Sequence, residues 1–268
     1  FLAERCAPLP QLFPADITTH QLSEALLYEI TSKSVPTLNE ARGVLYVHGG
    51  AFIFGGGLTA AHMALPVAAM AACKVYAIDY RMPPGHPFPA ALDDALEAYR
   101  FVLARFKPQN IAVYGGSAGA GLAAALILKA RDVGLPLPGA VVLATPEADL
   151  TESGDTFETN AIIDVVLQER LTDSIALYAN GHDLKDPYLS PIFGDFTKGF
   201  PPTILTSGTR DLFLSNTVMC HRALRRAQID AELHVFEAMP HGGFGGTPED
   251  AECLIEQIRF INEHLGSD

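Results

Sequence analysis

The sequence predicts a fold of the α/β class, a mostly parallel sheet flanked by helices. Two observations predict it. Short apolar runs alternate with longer stretches of helical period along most of the chain, the order that wraps helices over both faces of one sheet. The runs are also nearly continuous in apolar residues, as strands covered on both sides must be.

Taken in order, residues 43–50 (GVLYVHGG), 74–80 (KVYAIDY), 110–116 (NIAVYGG), 140–146 (AVVLATP), 202–208 (PTILTSG) and 231–239 (AELHVFEAM) read as strands. The last differs from the rest. Leu233 and Val235 alternate with Glu232 and His234, which predicts an edge strand with one wet face. Helical stretches lie between them at about 58–72, 89–106, 118–133, 213–228 and 249–265. The final helix carries Thr247 as N-cap, Pro248 at its first position, acids in its first turn and Gly266 at its end. Its Cys253, Leu254, Ile258, Ile261 and Leu265 recur at helical spacing and form a core stripe.

Residues 151–190 break the alternation. They hold about forty residues between two strands, including the helix-like run LQERLTDSIALYANG, and an insertion of that length in an α/β core reads as a lid or substrate-binding segment. Residues 1–20, with Leu2, Leu9, Leu12 and Phe13, are expected to pack beside it. The chain is thus read as one domain over 1–268 with cap elements from about 1–20 and 151–190.

Composition narrows the partner. A formal charge of −13 repels nucleic acid and anionic membrane surfaces alike, and it says little about a neutral substrate. Residues 43–73 carry no charged side chain, but Gly49, Gly50, Gly55, Gly56, Gly57 and Pro66 interrupt them. A buried strand, loop and helix fit better than a membrane span, and no stable membrane association is expected. Cys6, Cys73, Cys220 and Cys253 lie far apart, without metal-ligand spacing, and read as reduced thiols. No basic-then-apolar leader is visible at the first residues, so a cytoplasmic address is expected.

One stretch carries chemistry. VYGGSAGAGLA (113–123) sets Ser117 among four glycines at the junction of a strand and a helix. G-x-S-x-G alone is a weak motif, but this junction is where a strained turn holds a serine hydroxyl in the open. Side chains two residues to either side of the serine would strike the neighbouring strand and helix, and Gly115 and Gly119 remove them. A plain turn needs one glycine, not this set.

A serine hydroxyl becomes a useful nucleophile only when a base takes its proton and an acid orients the base. Of the five histidines after Ser117, His182 lies in the insertion, His221 and His264 on helices and His234 within a strand. His241, in AMPHGGFGG, falls in a loop just past a strand and is the candidate base. Two acids follow strand ends, Asp149 and Asp211. Asp211 is favoured because it follows the next-to-last strand, and Asp149 reads as a residue that organises the start of the insertion. Donors for a developing oxyanion are expected from the Ala118 amide and from the loop YVHGGAFIFGGG, with His48 bonding that loop. Gly55–Gly57 are not a phosphate cradle, for no lysine completes one.

His48-Gly49-Gly50, DYRMPPGHPFPAALDD (79–94), GGSAGAGLA, DPYLSPIFGDF (186–196), GTRDLFL and MPHGGF resemble, in order and spacing, the hormone-sensitive-lipase-like branch of the α/β-hydrolase esterases. The resemblance runs from about residue 40 to the end. It implies an eight-stranded sheet with a small helical cap, no cofactor and no metal, and hydrolysis of short-chain carboxylic esters, with lactones as a further class. Carried onto this chain, the triad is Ser117, Asp211 and His241, the oxyanion donors are Gly49, Gly50, Ala51 and Ala118, and Asp79 and Arg81 are structural.

Three positions depart from the family pattern. Ala51 stands for a third glycine, and its methyl is expected to narrow the site. Gly116 replaces an acidic or hydroxyl residue, and Pro146-Glu147 replaces proline–tryptophan in a chain with no tryptophan. The N-terminal segment is also shorter than the family's, which predicts a reduced cap. Two rivals stay open at this point: a non-catalytic small-molecule receptor on the same fold, and an amidase or peptidase using the same triad. The edge strand at 231–239 and the last helix offer a surface for a homodimer.

Overall fold

The computed structural model describes residues 2–266. Its strands are β1 (Ala15–Gln21), β2 (Leu26–Ser32), β3 (Gly43–Val47), β4 (Lys74–Asp79), β5 (Ile111–Gly116), β6 (Ala140–Ala144), β7 (Thr203–Gly208) and β8 (Ala231–Phe236). They form one eight-stranded sheet in the order β1-β2-β4-β3-β5-β6-β7-β8. β1 pairs antiparallel with β2, and β2 antiparallel with β4; every other pairing is parallel. The helices are α1 (Leu2–Cys6), α2 (Leu9–Leu12), α3 (Leu58–Ala71), α4 (Ala90–Leu103), α5 (Ala118–Asp132), α6 (Thr156–Thr159), α7 (Thr172–Ala179), α8 (Leu214–Arg226) and α9 (Pro248–His264).

The continuous apolar runs are explained by two cores. Leu45 and Val47 of β3, Val113 of β5 and Leu143 of β6 share one apolar cluster with α4, α5 and α8. Val44, Tyr46, Ala112 and Val142, one residue out of phase, share the other with α3 and α9. Successive side chains of a strand point to opposite faces, so a strand buried on both has no polar position to offer.

Three expectations need correction. Residues 15–20, read as cap, belong to the sheet as β1, and β2 escaped the sequence reading as well. β1 is an edge strand whose positions are mostly exposed or half-buried, so it lacks the apolar continuity of the central strands. In β2, Glu29 interrupts an otherwise buried run; its carboxylate pairs with Lys74 at 2.9 Å and His20 at 2.8 Å. β8 is an edge strand as read, but its two faces do not divide cleanly: Leu233 packs on the core as expected, whereas Val235 does not. Val235 is 40% exposed, while Arg259 of α9 lies over Glu232 and bonds it.

The third correction concerns the insertion. The helix-like run at 167–181 becomes helical only at Thr172. The Asp164 carboxylate accepts from the amides of Val166 and Leu167 at 2.9 and 3.1 Å, which fixes a turn where the sequence suggested a helix. α9 is capped as read, with the Asp250 carboxylate accepting from the Thr247 amide at 2.9 Å, and Ile258, Ile261 and Leu265 are buried. Arg81 pairs with the buried Asp94 at 2.8 Å, and Asp79 accepts from the Gly57 amide, both structural roles. Among the described residues no helix is long and apolar enough to cross a membrane.

Candidate active site

Ser117 stands between the last residue of β5 and the first of α5, at φ 56° and ψ −127°. That conformation costs a non-glycine residue about 1–3 kcal/mol, and its surroundings compel it. A Cβ on Gly115 would lie 2.3 Å from the Gly119 carbonyl oxygen. One on Gly119 would lie 2.2 Å from the Val47 carbonyl oxygen, and one on Gly121 only 2.0 Å from that of Glu147. The Ser117 amide donates to Ala144 O at 2.9 Å, and its carbonyl accepts from the amides of Ala120, Gly121 and Glu147. The strained residue is thus tied to β6 and to the helix it begins.

The structure brings Ser117, His241 and Asp211 into one hydrogen-bonded line. Ser117 Oγ is 2.8 Å from His241 Nε2, and His241 Nδ1 is 2.9 Å from Asp211 Oδ1. Because Nδ1 faces a carboxylate, it carries the ring proton, and Nε2 is left to accept from the serine hydroxyl. Asp211 is fully buried and also accepts from Ser207 Oγ at 2.6 Å, from the Phe213 amide at 2.9 Å and from Thr145 Oγ1. Burial works to raise the Asp211 carboxyl, but the His241 imidazole and the Ser207 and Thr145 hydroxyls outweigh it and hold it below its ordinary value.

Asp149 lies elsewhere. Its buried carboxylate accepts from the amide and hydroxyl of Thr151 and from the Ser153 hydroxyl, between 2.6 and 2.9 Å. It organises the start of the insertion.

Four groups that the sequence reading missed support the line. Thr145, at φ 46° just after β6, gives its hydroxyl proton to Asp211 Oδ2, and Thr145 Oγ1 also lies 2.9 Å from His241 Nδ1. Ser207, at the end of β7, is the second hydroxyl on the carboxylate. Asp164 accepts from the Leu212 amide at 2.8 Å and from the His241 amide at 3.3 Å. Asn160 donates to the carbonyls of Asp211 and Thr209 at 2.9 and 3.2 Å. The first part of the insertion therefore clamps the acid and base loops. Nothing in the local sequence marked Asp164 or Asn160, whose partners are about fifty to eighty residues away.

The loop after β3 closes on the serine from the other side. A Cβ on Gly49 would stand 2.8 Å from Gly116 O and 3.1 Å from Ser117 Cβ, so only glycine allows that approach. Gly50, Ala51 and Phe52 all have positive φ, at 124°, 51° and 63°, and consecutive residues of that kind turn their amides into one concavity. Among the described residues, the amides of Gly50, Ala51 and Ala118 have no acceptor. His48 Nδ1 bonds Gly49 O at 2.8 Å, as read, and its ring stacks on Tyr80. Burial pushes that imidazole down to about 4, so it stays neutral.

Helix α1 and the insertion helix edge this site. Leu2 Cδ1 is 3.3 Å from where a Gly50 Cβ would stand, and Arg5 is 3.5 Å from the same point on Gly245. On the opposite side Tyr178 of α7 stacks on Phe52. Two surface hollows, of about 510 and 600 Å³, flank α7 and residues 168–174, and neither is lined by Ser117.

Comparison with known proteins agrees with this geometry. The family described as alpha/beta hydrolase fold matches residues 44–244. An acetyl-hydrolase of Streptomyces hygroscopicus is 36% identical over 208 residues, 76% of this chain and 68% of that protein. The crystal structure of esterase E25 superposes with a TM-score of 0.92 at 37% identity, covering 99% of this chain and 83% of that one. An esterase from the bacterial hormone-sensitive lipase family superposes with a TM-score of 0.88 at 32% identity, covering 98% and 90%.

Proposed function

The chain belongs to the α/β-hydrolase family, in its bacterial hormone-sensitive-lipase-like branch, and from that premise we propose that Ser117, His241 and Asp211 hydrolyse carboxylic esters through an acyl-enzyme. The chain is a serine ester hydrolase by its relatives, which are named esterase and acetyl-hydrolase. The observation that carries the residue assignment is the unbroken line from Ser117 Oγ through both nitrogens of His241 to Asp211.

The chemistry follows from that line. As Ser117 Oγ attacks the ester carbonyl carbon, its proton passes to His241 Nε2 and the carbonyl π electrons move onto oxygen. The amides of Gly50, Ala51 and Ala118, with Gly49 setting their approach, receive that oxyanion. Asp211 stabilises the imidazolium without taking its proton. When the tetrahedral intermediate collapses, the alkoxide leaves with the proton from Nε2. Water then repeats the sequence on the acyl-serine, losing its proton to His241 and releasing the acid.

The base in its hydrogen-bonded place speaks against a receptor, and the relatives' names speak for acyl–oxygen over acyl–nitrogen cleavage. Short acyl groups are favoured, in keeping with relatives named acetyl-hydrolase and esterase. The same reading places the enzyme in a reducing, cytoplasmic compartment, in keeping with four free cysteines, and gives a second copy of the chain the β8 edge to pair with. Ser117→Ala is expected to lower kcat on p-nitrophenyl butyrate by at least on the order of 10⁴ in a folded protein. A fluorophosphonate should label Ser117 in the unsubstituted enzyme. Turnover retained by Ser117→Ala, or a label on another residue, would overturn the assignment.

A further inference from the structure

The loops that carry the acid and the base leave neighbouring strands and stay bonded to each other only part of the way. Past the pairing of β7 with β8, the Thr209 amide donates to Phe236 O at 2.9 Å and the Arg210 amide to Met239 O at 3.2 Å. Among the described residues that backbone bonding ends there, just short of Asp211 and His241. From that point a side chain of the insertion joins the two loops. Asp164 is fully buried, and its carboxylate is shared among four amides. Oδ1 accepts from Val166 and Leu167 at 2.9 and 3.1 Å, within its own turn, and Oδ2 accepts from Leu212, beside the acid, at 2.8 Å. The His241 amide straddles the carboxylate, 3.3 Å from each oxygen. Asn160 ties the turn itself to the acid loop: its side-chain amide donates to Asp211 O and Thr209 O, and its carbonyl accepts from the amides of Ile163 and Asp164 at 3.0 and 2.8 Å.

Burying a carboxylate is costly, and a neutral side chain could not make the same set of bonds. Asparagine has one acceptor oxygen, so whichever way it is turned its NH₂ faces the N–H of Leu212 or those of Val166 and Leu167. Asp149, also buried, makes its bonds within its own segment, to Thr151 and Ser153. Asp164 instead holds in register the two loops whose 2.9 Å contact, His241 Nδ1 to Asp211 Oδ1, orients the base. Phe213, next to Leu212, sets its ring edge-on against the same imidazole, with centroids 4.8 Å apart. A shift of either loop would therefore turn the imidazole away from Ser117. We propose that Asp164 is a positioning residue of the hydrolysis, one that acts through His241 by fixing the base loop against the acid loop so that Nε2 stays in line with Ser117 Oγ. The inference rests on the ester-hydrolase reading above and deepens it.

A positioning role and a merely structural one differ in what happens once the base is gone. Asp164→Asn should lower kcat on p-nitrophenyl butyrate by about ten- to a hundredfold, the scale of a displaced catalytic group, with KM close to the parent's. The rate of fluorophosphonate labelling at Ser117 should fall by a similar factor, since that reaction uses the same base. In a His241→Ala background there is no base left to place, so Asp164→Asn should leave the residual turnover unchanged. Asp149→Asn, which also removes a buried carboxylate, should show no such His241-dependent loss. Asn160→Ala loosens the same turn without unpairing a buried charge, and it should give a smaller fall in kcat that again vanishes without His241. Thermal unfolding shows whether each variant is folded. Unchanged kcat in folded Asp164→Asn (or in Asn160→Ala, where Asp164→Asn does not fold) would overturn this inference alone, as would a loss equally large with and without His241. Full turnover by Ser117→Ala would instead overturn the function it rests on.

Discussion

The ring of Phe52, in the loop after β3, lies flat on the ring of Tyr178 in α7, with centroids 4.0 Å and planes 1° apart. Both residues are 1% exposed. Phe52 is held at φ 63°, so the partner that fixes its ring also holds the strained segment whose amides are proposed to receive the oxyanion. Tyr178 is fixed in turn, by Phe88 edge-on and by the Phe88 amide donating to its carbonyl at 2.8 Å. The insertion helix is therefore a buttress of the oxyanion loop as well as a cover over it.

Tyr178→Ala should cost about 3–5 kcal/mol in urea unfolding, the usual range for deleting a buried aromatic, and should lower kcat more than it raises KM. Leu177→Ala, on the same helix but 48% exposed, should stay within about 0.5 kcal/mol of the parent. Equal effects of the two substitutions would mean that α7 does not brace the loop.

Asp211→Asn should lower kcat by about 10⁴, because the amide can present its NH₂ to Nδ1 and leave the imidazole in the wrong tautomer. Asp149→Asn should leave kcat close to the parent and lower stability instead, since its carboxylate accepts from Thr151 and Ser153. Steady-state kinetics and thermal unfolding on the same two variants separate the outcomes. A collapse of kcat in Asp149→Asn with little change in Asp211→Asn would reverse the roles.

The central sheet and the meeting of Ser117, Asp211 and His241 were legible in the sequence for related reasons. β3, β5, β6 and β7 are buried on both faces and so carry unbroken apolar runs; Ser117 and Asp211 lie just after two of these runs, and His241 lies in the loop after the edge strand β8. β1 and β2 were not legible because antiparallel strands near an edge mix polar and apolar residues. Asp164 and Asn160 were hidden for another reason. Their function lies in tertiary hydrogen bonds to the His241 and Asp211 loops, and a single carboxylate or amide in an insertion has no local signature. Thr145 could have been found, since a hydroxyl at the end of the strand beside the nucleophile's must face the acid loop of the next one.

Thr145→Val removes a hydroxyl that donates to the Asp211 carboxylate while keeping the side chain's shape. A hydrogen bond to a charged group contributes about 1.5–3 kcal/mol, so kcat should fall by roughly ten- to a hundredfold, and Thr145→Ser should recover most of it. The acid limb of stability should move too. Asp211 is held below its ordinary value, so its contribution is present above the unfolded value and is lost as pH falls through the folded one. With one donor gone the folded value rises, and Thr145→Val should unfold at a higher pH than the parent. An unchanged acid midpoint together with unchanged kcat would show that the hydroxyl does not act on the carboxylate.

Glu147 gives the opposite slope. Its carboxyl is raised from an ordinary 4.5 to about 8, first by burial and then by the Glu152 charge. Between those values the folded chain holds a proton that the unfolded chain has released, so stability falls as pH rises through the window and levels off above 8. The slope approaches about 1.4 kcal/mol per pH unit at most, and the total is on the order of 5 kcal/mol. Glu147→Gln cannot titrate, so the difference in unfolding free energy between variant and parent should grow in the variant's favour from pH 4.5 to pH 8. Urea unfolding at steps across that range measures it. A difference that stays constant would show that the carboxyl is solvated or paired in solution.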